Sequence, residues 1–543
     1  RKDIAEGAEK NDRIVCATGD CHYVNPDEKI FRDVYIFSEG IGGVRHPLNP
    51  RKRDKLAPYE NPDQYYRSTE EMLEEFEFFG EDKAIEYVIS NTNKVADSID
   101  QLYPIKNDLY PPHIDHCAED LTEMCYKKCH DWYGEELPPI VAERLKKELD
   151  GINGHNYSVI YYIAHKLINI ANKDGYMVGS RGSVGSSFVA TMASITEVNP
   201  LPPHYRCKKC KHSEFVQQEG ITCGFDLPPK KCPCCGEEMY RDGQDIPFAT
   251  FLGFNADKVP DIDLNFSGEY QARAHELTKD LLGKDNVFKA GTIETVADKT
   301  AFGYTKGYFE RTNRDPSKVS KATMRRLASF CQDVKRTTGQ HPGGIVVIPR
   351  EFEVYDFTPI QYPANEKESS WKTTHFDFHA IHDNVLKLDL LGHVDPTAMR
   401  FFLEESGIDP QDLPMNDPDT LSLFSKPDAL KLKHNYLNEK TGALGLPEFG
   451  TRFVRGMLEK THPQKFSDLV ILSGLSHGTD VWAGNAETLV DNKTCILSEV
   501  IGCRDDIMVY LSAKGLPPLT AFKIMEDVRK GKGLTEEYEK IMK

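Results

Sequence analysis

The chain has 543 residues. A single hydrophobic core does not serve a chain of this length, so roughly three or four domains are expected. Apolar residues make up 39% and charged residues 28%, as in ordinary globular proteins, and no apolar run is long enough to span a bilayer. The net charge of −18 argues against a protein that coats nucleic acid nonspecifically, but allows an enzyme that binds phosphate on local basic surface and metal on carboxylates.

The N-terminal stretch contains one candidate metal pair. Residues 1–4, RKDI, match neither a signal peptide nor an initiator methionine, so the chain is expected to be a segment of a longer protein. Residues 14–22 form a short β-rich run, and Asp20 and His22 at its end can share a metal ion. An ordinary turn is the alternative interpretation.

Helices are predicted on both sides of a domain boundary near residue 105. Ser68 and Glu71 fit the capping box that opens a helix, and a second helix is predicted at 83–99. Prolines then interrupt the chain, and the apolar pattern at 157–171 predicts a buried helix.

A glycine- and serine-rich loop at 179–186, GSRGSVGS, follows a short strand predicted at 175–178. An apolar helix is predicted after it at 188–195, so backbone N–H groups and the helix dipole are expected to attract a phosphate. Arg181 adds a full charge and a two-pronged donor. The spacing is not that of a Walker loop, and a plain flexible turn is the alternative.

Two C-x-x-C pairs predict a structural zinc site. Cys207 with Cys210 and Cys232 with Cys235 are about twenty-one residues apart, and four thiolates complete a tetrahedron around one Zn²⁺. Cys234 is a possible substitute ligand. The lysines around the site are either a solvated face or a weak phosphate contact. The cysteines scattered elsewhere fit a reducing cytosol.

Two aspartates stand two positions apart in the apolar run KVPDIDLNF at 258–266. Side chains alternate faces along a strand, so Asp261 and Asp263 are expected on one face, roughly 6.6 Å apart along the backbone. Two flexible carboxylates at that distance can converge on divalent ions about 3.5–4 Å apart. A strand edge with its polar face in water is the alternative.

A third aspartate, Asp389, is the only acid of the predicted apolar strand at 385–391. Burying a carboxylate without a partner is costly, so a metal ion or another cation is expected beside it.

Residues 335–344 form a basic, glycine-rich loop before a predicted strand at 345–348 and suit either a phosphate or a simple turn. The basic side chains that would line a triphosphate channel, or else lie in solvent, are Arg452, Arg455, Arg504, Lys523, Arg529 and Lys530.

Three acids able to hold two Mg²⁺ beside a triphosphate loop are the machinery of nucleotidyl transfer. Six motifs carry a resemblance to a known family: GSRGSVGS (179–186), PDIDLNFSGEYQARAH (260–275), KRTTGQHPGG (335–344), KLDLLGH (387–393), SHGTDVW (476–482) and GCRDD (502–506). They resemble the PolC-type family, the replicative C-family DNA polymerase III α subunits of low-GC Gram-positive bacteria. The paired C-x-x-C insertion favours this type over the related DnaE type.

The resemblance implies a multidomain α/β protein with a nucleotidyltransferase-type palm like that of X-family polymerases. The implied order is the C-terminal part of a PHP domain (1–105), palm (106–290, zinc insertion 207–235), inserted thumb (291–335), palm (336–405) and truncated helical fingers (406–543). The implied catalytic acids and ligands of two Mg²⁺ are Asp261, Asp263 and Asp389. The implied nucleotide-binding residues are Gly179, Ser180, Arg181, Gly182 and Ser183, joined by Arg452, Arg504 and Lys523.

The stretch TGDCHY resembles the last metal motif of PHP domains, which makes Asp20 and His22 implied ligands of Zn²⁺ or Mn²⁺. Expected partners are primer–template DNA and dNTPs, with a sliding clamp and replisome subunits bound through regions outside this chain. No membrane partner is expected, and the expected location is the bacterial cytoplasm. Two other classes of function stay open: a PHP-type metal-dependent phosphoesterase and a non-catalytic zinc-ribbon adaptor for nucleic acid.

Overall fold

The computed structural model describes residues 1–37, 46–49, 61–218, 220–254, 258–312, 314–362, 366–478 and 481–542. The chain forms two compact units, and each unit is assembled from three segments. Unit 1 contains Arg1–Leu109, Phe288–His341 and Val354–Asn384. Unit 2 contains Tyr110–Val287, Pro342–Glu353 and Val385–Lys543.

Helices are spread over both units and are numbered in chain order. They are α1 (Lys2–Lys10), α2 (Lys29–Ile36), α3 (Thr69–Phe76), α4 (Glu81–Ile85), α5 (Asn91–Asp97), α6 (Cys117–Tyr133), α7 (Pro139–Gly154), α8 (Ser158–Lys173), α9 (Phe188–Met192), α10 (Ala249–Leu252), α11 (Gln271–Leu282), α12 (Asp298–Arg311), α13 (Lys321–Ser329), α14 (Phe378–Ile381), α15 (Val394–Ser406), α16 (Pro418–Ser422), α17 (Arg452–Thr461), α18 (Phe466–Ser476), α19 (Glu487–Asp491), α20 (Arg504–Ala513), α21 (Pro518–Arg529) and α22 (Glu536–Met542). None of these described helices is both long and apolar enough to cross a membrane.

The described strands are fewer than the described helices. They are β1 (Gly179–Arg181), β2 (His204–Arg206), β3 (Ser213–Phe215), β4 (Tyr240–Asp242), β5 (Asp263–Ser267), β6 (Val287–Thr295), β7 (Lys335–Val347), β8 (Ile360–Gln361), β9 (Thr373–Asp377) and β10 (Leu386–His393). Both parallel and antiparallel pairs occur, so the protein is a multidomain α/β protein with mixed sheet, as the sequence predicts.

Unit 1 combines a helical core with strands. Helices α2, α12 and α13 bury Val34, Tyr308 and Leu327 against one another, with Leu327 only 1% exposed. Strand β9 pairs in parallel with β6 and antiparallel with β8. The capping box before α3 is confirmed, because Ser68 Oγ accepts from Glu71 N at 3.2 Å and Ser68 N donates to Glu71 Oε2 at 2.7 Å.

Unit 2 places β5 between two partners. Strand β1 runs antiparallel to it on one side and β10 runs parallel to it on the other, and β10 then pairs antiparallel with β7. Along β5 the apolar residues Leu264 and Phe266 are buried, whereas Asp263 and Asn265 are half-buried. This alternation follows from the two-residue period of a strand and directs the polar side chains to one face.

Helices and a small second sheet complete unit 2. Helices α6, α7, α8 and α9 pack through fully buried apolar side chains such as Leu121, Leu145 and Phe188. Strands β3, β2 and β4 form a three-stranded antiparallel sheet around the cysteine pairs. Helices α17 and α18 share one apolar core, and α20 and α21 share another.

Three local predictions are wrong. The strand expected at 175–178 is formed instead by Gly179–Arg181, because pairing with β5 fixes its position. Residues 14–22 form no strand, and Asp20 has a positive φ of 47°, which interrupts extended backbone. The basic glycine-rich stretch at 335–344 is not a loop but the first part of β7.

Candidate active site

One row of residues crosses four neighbouring strands of unit 2. Asp263 of β5 stands in register with Arg181 of β1 and with Asp389 of β10, and Asp389 stands opposite Gly344 of β7. Residues in register on adjacent strands lie about 4.8 Å apart and project their side chains to the same face. The strand pairing therefore brings one arginine and two aspartates together from three distant parts of the chain.

Asp261 joins the same group from just before β5. It lies two residues before Asp263, and one carboxylate oxygen from each of Asp261, Asp263 and Asp389 lies within 4.8 Å of the others. Asp261 is exposed, Asp263 is half-buried and Asp389 is 7% exposed. The group is thus open to solvent on one side and buried on the other.

A lysine of the same strand supplies a cation beside Asp389. Lys387 Nζ lies 2.9 Å from Asp389 Oδ2. Lys387 precedes Asp389 by two residues and therefore shares its face of β10. The sequence reasoning missed this residue, although the two-residue alternation that linked Asp261 with Asp263 applies equally to Lys387 and Asp389.

Partial burial, together with the charge of neighbouring carboxylates, raises the pKa of two of the carboxyl groups. Partial burial raises the pKa of Asp263 to about 6, with further contributions from Asp261 and Asp389, while Arg181 acts in the opposite direction. Partial burial also raises the pKa of Asp261, and the charge of Asp389 adds to that effect. Such a site gains stability from any added cation that coordinates the carboxylates.

A basic rim lies next to Asp261. Burial lowers the pKa of Lys258, the nearby Arg504 lowers it further, and the charges of Glu526 and Asp261 oppose that shift. Arg504 Nη2 donates to Thr250 O at 3.2 Å, and Arg504 Nη1 lies 3.6 Å from Glu526 Oε1. Lys258 therefore feels the charges of both Arg504 and Asp261, whereas the contacts of Arg504 itself are to Thr250 and Glu526.

The glycine- and serine-rich loop begins on the strand beside Asp263. Gly179, Ser180 and Arg181 form β1, and Gly182 turns the chain with a φ of +78°, which suits glycine. Residues Gly182–Ser186 then form a short 3₁₀ helix. Arg181 is exposed.

The helix after this loop does not offer a free N-terminus. Glu148 of α7 is fully buried, and its Oε2 accepts hydrogen bonds from Ser187 Oγ and Val189 N, both at 3.0 Å. Arg144 is ion-paired with Glu148 and donates to Ser186 O at 2.7 Å. The expected phosphate contact at the N-terminus of α9 is therefore wrong, because a protein carboxylate already fills that position.

The other predicted basic residues lie on α17 and α21, except Lys530, which directly follows α21. Arg452 is the first residue of α17 and is exposed. Lys523 is exposed on α21, one turn before Glu526. Thr479 and Asp480 of the SHGTDVW motif lie outside the described residues.

The two cysteine pairs meet at one point. One Sγ atom from each of Cys207, Cys210, Cys232 and Cys235 lies within 4.8 Å of the others, with 3.4 Å between Cys207 and Cys235 and 3.4 Å between Cys210 and Cys232. Cys234 is exposed and is not a member of this group.

Both knuckles turn in the same way. Lys211 N donates to Cys207 O at 3.0 Å, and Gly236 N donates to Cys232 O at 2.9 Å. Lys211 and Gly236, each directly after a second cysteine, both have positive φ. The repeated geometry points the thiols of each pair toward one centre.

Asp20 and His22 are close to each other in unit 1. His22 Nε2 lies 3.2 Å from Asp20 Oδ1, and Gln64 donates to Asp20 Oδ2 at 2.6 Å. The hydrogen bond from Gln64 is the main reason that the pKa of Asp20 is lowered. Among the described residues, groups of three or more possible metal ligands are found at the four cysteines and the three aspartates, but not here.

Comparison with known families covers most of the chain. Residues 119–392 match the model of the bacterial DNA polymerase III alpha NTPase domain, and residues 395–543 match that of the bacterial DNA polymerase III alpha subunit finger domain.

Curated relatives carry the name DNA polymerase III PolC-type. The protein from Listeria innocua is 58% identical over 100% of this chain and 36% of its own length. The proteins from Bacillus subtilis and Staphylococcus haemolyticus are 56% and 55% identical over 99% of this chain, and over 37% and 36% of their own lengths. The chain therefore spans little more than a third of the relatives that it matches.

Proposed function

This chain belongs to the PolC-type bacterial DNA polymerase III alpha family, and we therefore propose that it carries the nucleotidyl-transfer site of a replicative DNA polymerase. The reaction joins a dNTP to a primer 3′-hydroxyl on a DNA template and releases pyrophosphate. The observation that carries the proposal is the convergence within 4.8 Å of Asp263 and Asp389, on two paired strands, and Asp261, just before the first of these strands.

The three aspartates fit Mg²⁺. Their donors are carboxylate oxygens, which hard divalent cations prefer, and the raised pKa values of Asp261 and Asp263 reflect partial burial, with a further contribution from the neighbouring carboxylates. Two bound Mg²⁺ ions would lower the pKa of the primer hydroxyl and neutralise charge on the triphosphate.

Basic side chains supply positive charge for the triphosphate and for the aspartates. Arg181 stands in register with Asp263, which supports the proposal that Gly179–Ser183 binds a triphosphate with Arg181 as the charged contact. Lys387 balances the charge of Asp389, and Lys258 adds positive charge near Asp261. Arg452 and Lys523 are assigned to the same phosphate channel on the family resemblance alone.

The four cysteines fit a structural Zn²⁺. Thiolates prefer zinc, and four protein ligands leave no position open for chemistry. The zinc module would then fix the segment between β2 and β4.

The finer architecture is also proposed from the family. It consists of a PHP portion at 1–105 with Asp20 and His22 as metal ligands, an X-family-like palm at 106–290 and 336–405, a thumb at 291–335 and fingers from 406. Primer–template DNA and dNTPs are the proposed substrates, and the sliding clamp and replisome subunits are proposed partners of the longer protein.

Primer extension tests the function. The experiment compares the parent chain with Asp389→Asn on a primed template with Mg²⁺, together with Mg²⁺-dependent dNTP binding by calorimetry, which needs no turnover. Asp389→Asn keeps the side-chain shape but removes a charge, and should lower the extension rate by roughly three or more orders of magnitude. Asp280→Asn, on the exposed face of α11, is the matched control and should behave like the parent. Extension by Asp389→Asn at the parent rate would refute the shared metal site.

The two other classes of function find no support. A phosphoesterase in the PHP portion needs more ligands than the Asp20–His22 pair, and the described residues form no larger group there. A zinc-ribbon adaptor leaves the buried Asp389 beside Asp263 without a role.

A further inference from the structure

A cavity of about 710 Å³ opens beside the zinc knuckles, within unit 2 and apart from the three aspartates. Its wall is built by α6, the end of α8, residues 177–178 and 194–197, the first knuckle, Tyr240 and residues 411–412. The volume lies in the range of sites that hold small organic ligands, roughly 300–1,000 Å³. No step of the proposed nucleotidyl transfer uses it.

A flat stack of rings and a guanidinium forms one side of this cavity. The Arg206 guanidinium carbon lies 4.0 Å from the centre of the Trp132 ring and 4.5 Å from that of Tyr240. Asp242 fixes the guanidinium through a 2.9 Å contact from Arg206 Nε. Arg206 is only 8% exposed and its guanidinium already contacts both rings, whereas Trp132 and Tyr240 are half-buried, so a nucleobase would stack on the part of these rings that Arg206 leaves open.

Lysines lie around the same stack. Lys208 Nζ lies 5.2 Å from the centre of the Tyr240 ring. Lys128 Nζ donates to two neutral oxygens, Thr191 O and Ser194 Oγ, both at 2.8 Å. Burial lowers the pKa of Lys128 to about 8, so a phosphate oxygen nearby would favour its charged form.

Acidic and amide side chains make the cavity polar rather than simply basic. Asp131, Glu197 and Asp412 also line it, with Asn172 and Gln411. Burial raises the pKa of Glu197. Oxygen and amide groups of this kind hydrogen-bond the amino and carbonyl groups on the edge of a base, which a purely phosphate-binding site would not need.

The cavity is adjacent to the proposed active site along the chain. Val178 lines it, and the next residue, Gly179, begins the strand that carries Arg181. At about 3.3 Å per residue, Val178 and Arg181 are roughly 10 Å apart. A nucleotide held in the cavity would therefore lie within a few nucleotide lengths of the aspartates.

We propose that this cavity binds one unpaired nucleotide, with the base against the Trp132–Arg206–Tyr240 stack and a phosphate against Lys128 and Lys208. The site needs no metal, so it is separate from the nucleotide site at the aspartates. A nucleotide of a single DNA strand and a free nucleotide both offer a base and a phosphate. The strand nucleotide also carries neighbouring nucleotides, so the two ligands can be distinguished by experiment.

Binding without metal tests this site. Labelled oligothymidylate and labelled dATP are titrated separately against the chain in excess chelator and in the Asp263→Asn background, which remove the contribution of the aspartate site. Lys208→Ala should lower the affinity for whichever of the two probes binds by about tenfold, which is the effect of losing one charge-assisted contact. Lys209→Ala is the matched control, because Lys209 is the next residue, pairs with Glu237 at 2.9 Å and does not line the cavity.

A cavity-filling variant keeps the test independent of lysine charge. Asn172→Trp places a large ring in the cavity from an exposed position at the end of α8 and should abolish binding, whereas Lys173→Trp, which does not line the cavity, should not. If Lys208→Ala and Asn172→Trp weaken the binding of oligothymidylate, the ligand of the cavity is a nucleotide within a DNA strand. If they weaken the binding of dATP, the ligand is a free nucleotide. Parent-like affinity of Lys208→Ala and Asn172→Trp for both probes, or no binding of either probe by the parent, would overturn the proposal while leaving the polymerase assignment intact.

Discussion

Asp389 and Lys387 show how a single strand supplies both a buried acid and its counter-ion. Lys387 Nζ lies 2.9 Å from Asp389 Oδ2, although two further carboxylates lie within 4.8 Å of that acid. The pKa values of Asp261 and Asp263 are raised even though Arg181, Lys258 and Lys387 act to lower them, so an added cation that coordinates the carboxylates should stabilise the site. The raised pKa values have measurable consequences for stability.

Asp263→Asn should stabilise the metal-free chain at neutral pH. Asp263 has a pKa of about 6 in the fold, against an ordinary value of 3.8, so the folded state binds a proton more tightly than the unfolded state. The free energy of unfolding of the parent therefore falls as pH rises from about 4 to about 6. The variant lacks this loss and should be more stable by ~1–2 kcal/mol at pH 7, after allowance for solvent screening, with little difference below pH 4.

Urea unfolding at several pH values in the presence of a chelator measures this effect. Asp280→Asn, which leaves the three carboxylates in place, should follow the parent at every pH. Added Mg²⁺ should stabilise the parent more than Asp263→Asn. A pH-independent difference between Asp263→Asn and the parent would contradict the raised pKa of Asp263.

Arg181→Ala should weaken dNTP use. Arg181 is the charged side chain of the loop beside Asp263, and losing such a contact costs roughly 1.5–3 kcal/mol, or about ten- to a hundredfold in affinity. Template affinity should hardly change, because it depends on a larger surface. Calorimetric dNTP binding and steady-state KM measure the effect, and Lys173→Ala on α8 is the control. Unchanged nucleotide affinity would mean that the loop is an ordinary turn.

At the residue scale, the sequence predicts most of the aspartate site. Alternation places Asp261 and Asp263 on one face, and the isolation of Asp389 in an apolar strand predicts a nearby cation. Glu148 could not be found in this way. Its role depends on the packing of α7 against α9, which brings together residues about forty positions apart, and no local pattern records that contact.

At the scale of elements, the zinc knuckles are the clearest case of a site predicted from spacing. Cys207→Ser should lose the zinc and lower the melting temperature, because structural zinc contributes on the order of 10–16 kcal/mol of binding that is coupled to folding. Zinc analysis and thermal unfolding of freshly purified protein measure both. Cys234→Ser is a close control, since Cys234 is adjacent to Cys235 but exposed and outside the group of four. Zinc retained by Cys207→Ser would refute the ligand set.

Strand β1 is the element that the sequence places incorrectly. Residues 175–178 have the stronger local preference for a strand, yet the glycine-rich residues Gly179–Arg181 pair with β5. Propensity is a weak signal where a strand of three residues is fixed by its partner. Helices α3 and α8 are predicted more accurately, because the capping box of α3 and the apolar period of α8 depend only on residues within or next to each helix.

At the scale of the whole molecule, the division into two units predicts two unfolding transitions. Leu327 lies in the core of unit 1 and Leu472 lies in a core of unit 2, and both are fully buried. Each Leu→Ala substitution should cost about 2–5 kcal/mol and lower chiefly one calorimetric transition. Leu327→Ala should leave the zinc content unchanged, because all four cysteines belong to unit 2. A single transition that shifts equally in both variants would contradict separate units.

The row that joins Arg181, Asp263, Asp389 and Gly344 also bears on how such a protein can change in evolution. Its spacing depends on strand pairing and not on the length of chain between the strands. Parallel strands such as β5 and β10 require a crossover connection in any case, and here that connection includes two of the three segments of unit 1. Whole segments inserted between β5 and β10 therefore leave the aspartates together, whereas deleting one residue inside either strand would turn an aspartate to the opposite face.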